Sequence, residues 1–198
     1  MTALSESINP LANRAILAML TIREWRATRH DKTVTERVAR EHGAREGTGR
    51  FTKLLLPKDA LAQVGRIRTE ARTFHYLHTL PWLDDGFRIL TSESHLHYME
   101  AMRGFRERYE AAVADFLRAY PEARKTAREA LGTLYREADY PDTHALRDAF
   151  GLRVRLQPVP DGGDWRTTLP EDEVERIRED LRCQNETALR TAMADLYT

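Results

Sequence analysis

The chain has 198 residues, 41% of them hydrophobic and 31% charged, enough apolar material for one substantial core and too much for a disordered chain. Its 31 basic and 31 acidic side chains cancel, yet Met1–His75 holds 14 Lys/Arg against 8 Asp/Glu, so the first part is positive and the remainder negative. The single cysteine, Cys183, excludes an internal disulfide, MTALSESINP lacks the basic start and apolar run of a secretion signal, and no stretch is long enough to span a membrane. The expectation is a cytoplasmic protein without membrane attachment.

In chain order, Ala15 to Arg29 reads as strand. Leu20 and Ile22 alternate with Thr21 and Arg23, and the parity slips at Trp25, as at a bulge or an edge. Asp31 or Thr33 then caps a short helix, TVTERVAREHG, that stops at Gly43. AREGTGRFTKLLLP reads as a glycine-punctuated loop and a short apolar run closed by Pro57. Lys58 to His78 is a helix, because Leu61, Val64, Ile67, Ala71, Phe74 and Leu77 recur at spacings of three or four. The stretch from Thr79 to Leu90, TLPWLDDGFRIL, reads as a linker. His97 to Tyr120 is the longest helix, with a stripe running from Leu96 through Met99, Met102, Phe105, Tyr109, Val113 and Phe116 to Tyr120. Pro121 ends or redirects it.

EARKTAREALG predicts another helix to Gly132, and Thr143 to Phe150 a short one. Strand periodicity returns over Phe150–Pro158, with Leu152, Val154 and Leu156 on one face and Arg153, Arg155 and Gln157 on the other. After the turn-rich PVPDGGDW, a last helix runs from Glu171 to Tyr197 with Val174, Ile177, Leu181, Ala188, Ala192 and Leu196 inward. The fold class expected is α+β: a predominantly helical single domain over residues 1–198, with a small antiparallel β-ribbon made by the two distant strands. Residues 171–197 form a terminal helix with no successor to cover it, and so a candidate for association.

The nucleotide-binding, nucleophile-elbow and zinc-protease signatures are absent, and GAREGTG matches a phosphate cradle only in its number of glycines. His75, His78, His95 and His97, with Asp84 and Asp85 between them, are the residue types a metal would take, but three or four must converge. Cys183 lacks a base supplied by spacing. No catalytic residue, metal site or cofactor is therefore assigned, and a metal-dependent enzyme is the weakest of three readings.

The basic positions are more informative. Arg23, Arg26 and Arg29 in the first strand region and Arg153 and Arg155 in the other suit one solvent face, which Arg45, Arg50 and Lys53 would extend. Trp25 could stack a base there while the arginines hold phosphates. The same nine residues equally suit a protein partner. The reading placed first is a non-enzymatic assembly or adaptor protein working through homo-oligomerisation or protein–protein contacts. Single-stranded nucleic-acid binding is the alternative.

Four stretches, LTIREWRATRHDK, GRFTKLLLPKDAL, TFHYLHTLPWLDDGFRIL and FGLRVRLQPVPDGGDW, resemble the DUF3150 family of uncharacterised proteins of bacteria, phages and integrative elements. The resemblance implies a role in phage or mobile-element biology. It carries no catalytic residues, and it raises assembly and DNA-related readings together.

Overall fold

The computed structural model describes residues 13–83, 86–160 and 170–196. Helices hold 58% of the described residues, beside one four-stranded and one two-stranded sheet, so the class is α+β. The chain falls into two compact units, each built from separated segments.

Unit 1 takes in Met1–Thr21, Thr69–Arg106 and Leu152–Thr198. Its sheet has the order β4-β5-β1-β6, from β1 (Ala15–Arg23), β4 (Leu80–Pro81), β5 (Arg88–Thr91) and β6 (Gly151–Pro158). β5 pairs antiparallel with β1, with Leu17 opposite Ile89, and antiparallel with β4. The two strands read from the sequence are thus neighbours, but in a four-stranded sheet rather than a bare ribbon. The residues expected to be a linker supply β4 and β5. Trp82, Phe87 and Ile89 bury against Ala15, Leu17 and Val159, and α5 (Glu171–Leu196) closes that core with Ala188 and Ala192. In β6 Leu152 is buried and Arg153 and Arg155 are exposed as expected, while Val154, Leu156 and Gln157 are all half-buried, so the alternation fades toward the end of the strand. Asn185 fixes α5 further by donating a hydrogen bond to the Pro160 carbonyl at 2.9 Å.

Unit 2 takes in Ile22–Arg68 and Glu107–Gly151. β2 (Thr28–His30) pairs antiparallel with β3 (Thr52–Leu54), Arg29 opposite Lys53. β1 therefore does not run on to Arg29; it ends at Arg23, and no bulge is needed at Trp25. The Trp25 ring instead turns inward, 6.4 Å from the Phe116 ring and 6.1 Å from that of Tyr120. α1 (Lys32–Glu41) starts where the Asp31 carboxylate accepts from the Val34 amide, and Gly43, at φ 59°, supplies the left-handed residue after its end.

α2 (Ala62–Leu77) begins four residues later than its apolar pattern suggests, and α3 (His95–Leu131) runs straight through Pro121. Proline costs a helix interior about 3 kcal/mol. Here buried Phe116, Leu117 and Tyr120 on one side of it and buried Ala127 on the other offset that cost. Three buried tyrosines also tie unit 2 to its own backbone. Tyr109, Tyr120 and Tyr140 donate to the carbonyls of Arg23, Pro141 and Leu55 at 2.7, 3.0 and 2.8 Å. The short α4 (Thr143–Asp148), capped by Asp142, buries Leu146.

Candidate functional site

The paired strands β2 and β3, the start of α1 and the turn at Glu137–Asp139 line a cleft of about 540 Å³ in unit 2. At its floor lies Lys53, only 3% exposed. β3 turns Lys53 inward and leaves Thr52 and Leu54 outside, the reverse of the usual polar-out alternation. A buried ammonium needs paired charge and hydrogen-bond acceptors. Lys53 Nζ donates to the Leu134 carbonyl at 2.9 Å and to Asp31 Oδ2 at 3.3 Å, and it stands 2.6 Å from Asp139 Oδ2. The last contact is an ion pair set at an angle that forms no hydrogen bond, so Asp139 Oδ2 accepts none among the described residues.

The two aspartates are approached from outside by arginines. Arg29 Nε is 3.7 Å from Asp139 Oδ1, and Arg136 is 4.0 Å from Asp31 Oδ1, with side chains 67% and 57% exposed. The Val34 amide, ahead of Lys53 and Arg136, holds the Asp31 carboxyl below the usual carboxylate range. Asp31 thus serves as helix cap and as counter-ion at once. Lys32 and Arg50 complete the cationic lining, both exposed and neither in an ion pair among the described residues. His30 closes one side, its Nε2 3.2 Å from the Thr35 hydroxyl.

The nine positions expected to form one basic face are dispersed. Arg29, Arg50 and Lys53 meet at the cleft, although Lys53 is a buried structural cation and not a surface one. Arg23 is exposed at the end of β1, its guanidinium against Gly151. Arg26 and Arg45 are exposed on connecting segments of unit 2. Trp25 is half-buried and packs on Phe116 and Tyr120. Arg153 and Arg155 belong to unit 1, where Arg155 lies 4.8 Å over the Phe87 ring. The cleft residues missed from the sequence are Lys32, Arg136 and Asp139. The one available signal was a lone lysine inside the apolar run FTKLLL.

The histidines of unit 1 do a packing job. His75, buried, has Nδ1 2.8 Å from the Tyr98 hydroxyl; burial, and after it Arg88, pushes the imidazole down to about 4. His78 stacks on Phe74 and donates Nδ1–H to the Phe74 carbonyl, and His97 lies 5.7 Å from the His78 ring. Among the described residues no three His, Cys, Asp or Glu side chains gather as metal ligands, and Asp84 and Asp85 lie outside those residues. Cys183 is exposed.

These ring contacts set the C-terminal end of α2 beside the N-terminal end of α3. There Tyr76, Leu77 and Leu96 are 60%, 76% and 78% exposed. Leu77 and Leu96 were expected inward as the ends of their apolar stripes; the stripes outrun the core that unit 1 provides. No helix among the described residues is long and apolar enough to cross a membrane. No family model matches the chain, the DUF3150 family included, and no curated protein or solved structure matches it.

Proposed function

We propose that the protein is a non-enzymatic assembly or adaptor protein that associates with a second copy of itself through the apolar ends of α2 and α3. The observation that carries this reading is the exposure of Leu77 and Leu96 at the adjoining helix ends. Both continue core stripes into solvent, and each is worth about 1.5–3 kcal/mol when fully buried. Apolar surface of this kind, when contiguous, marks a protein contact. A second copy is the proposed occupant, because it would bring the same exposed apolar residues to meet this surface.

Sedimentation equilibrium over a concentration series tests this. The parent chain is expected to show a mass above 22.9 kDa in the micromolar range, and the double variant Leu77→Glu, Leu96→Glu to remain monomeric with an unchanged circular dichroism spectrum. A parent chain that stays monomeric to about 100 μM at low salt sinks the reading.

A further inference from the structure

The cleft of unit 2 carries an excess of positive charge that its own fold does not use. Five cations and two carboxylates line it. Lys53 answers the aspartates from within, at 2.6 and 3.3 Å. The contacts of Arg29 and Arg136 with the same aspartates are long and solvent-exposed, the kind of pair worth about 0–1 kcal/mol. Lys32 and Arg50 have no acidic partner among the described residues. Five cations against two carboxylates leave a net charge of about +3 on the lining of one open volume of about 540 Å³.

The adjacent cleft, of about 550 Å³, shares Lys32 and Arg50 but adds Glu36 and Glu46, so its charge is balanced and an anion gains little there. No Phe, Tyr or Trp side chain lines the basic cleft, and the ring present there is the imidazole of His30; Trp25 is packed on Phe116 and Tyr120. A ligand would be held mainly by its anionic groups.

We propose that this cleft binds a ligand through its phosphate groups, with Lys32 and Arg50 as the principal contacts and Arg29 and Arg136 recruited from their weak pairs. Guanidinium forks suit phosphate oxygens in bidentate geometry, and the lysine supplies a point charge. The phosphates could come from a compact polyphosphate or from a single-stranded polynucleotide backbone; both present the same chemistry. The site stands independently of self-association, because its residues belong to unit 2 and the apolar helix ends to unit 1.

The test is fluorescence anisotropy of a labelled twelve-residue oligothymidylate at 50 mM salt, with inorganic tripolyphosphate as competitor and, separately, as a calorimetric titrant. Four phosphate contacts predict a log–log salt slope of about −3 for a single strand. The double variant Lys32→Ala, Arg50→Ala is expected to weaken binding at least tenfold and to lower the slope by about 1.4. Arg23→Ala, Arg26→Ala, which removes the same charge outside the cleft, should leave binding within twofold. Tripolyphosphate binding that needs Lys32 and Arg50, without oligonucleotide binding, assigns the site to compact polyphosphates. Saturable oligonucleotide binding displaced by tripolyphosphate assigns it to a backbone. Binding of neither probe, or equal losses in the two double variants, overturns the site. Should the cleft variant fail to fold, Arg50→Glu alone carries the same test, with abolished binding expected and parental binding overturning it.

Discussion

Acidification should weaken unit 1 through one side chain. His75 is 4% exposed, hydrogen-bonded to Tyr98, and held neutral down to about 4 against an ordinary value of 6.5. In the unfolded chain it takes up a proton near 6.5, and in the folded chain it does not until about 4. Between those values the unfolded state binds more protons, so stability rises with pH. The contribution is whole above 6.5 and is lost as pH falls toward 4. The full shift corresponds to about 3 kcal/mol, and solvent near the exposed helix ends reduces the working figure to about 2. With a urea dependence of about 2 kcal/mol/M, the midpoint moves by about 1 M. Asp31, Glu137 and Asp142 are held below the carboxylate range and also lose stabilisation in acid. The measurement is therefore a difference. Urea titrations of the parent and of His75→Gln, which retains an acceptor for Tyr98, are compared from pH 7.5 to pH 4. The parent should lose about 1 M more than the variant. Parallel midpoints across that range would refute the burial argument.

Phe116→Ala removes a ring packed on Trp25, Tyr120 and Phe150 and should cost about 3–5 kcal/mol in a denaturant titration; a loss below about 1 would show the face of α3 wrongly assigned. Tyr140→Phe deletes the hydroxyl that donates to the Leu55 carbonyl and should cost about 1–2 kcal/mol, since a buried acceptor is left unmet. Lys53→Ala should lower the melting temperature more than Arg29→Ala, because it strands two buried carboxylates while Arg29 is mostly in solvent. Equal shifts would mean that Lys53 is not the keystone of the cleft.

Where one face of an element meets the core, its residues were legible. Val64, Ile67 and Ala71 of α2, Tyr109 to Tyr120 of α3, and Leu152 of β6 are all buried where periodicity puts them. Failures came where the element is too short to show a period. β4 and β5 have two and four residues, and no alternation can be read over such lengths. Their partners lie far off in sequence: Leu90 meets Ile16, and Arg88 meets Ala18. Pro121 misled for a different reason. A local penalty was weighed without the tertiary burial on either side that outweighs it.

The basic stretch TIREWRATRHDK shows how far a site can be read without coordinates. Two of its four cations, Arg29 and Lys32, line the cleft. Its spacing suggested one arginine face; in the structure β1 ends at Arg23 and Trp25 packs on Phe116 and Tyr120. The other half of the site is Arg136 and Asp139, more than a hundred residues away, and no local pattern points to them. Charge does not cancel at the cleft. One buried lysine cannot neutralise two carboxylates, so the fold recruits Arg29 and Arg136 from outside. Those two bring more charge than the remaining deficit, and Lys32 and Arg50, fixed beside them by the start of α1 and the approach to β3, add to the surplus. Such a surplus on exposed side chains is tolerated in water, and an anion of matching size relieves it.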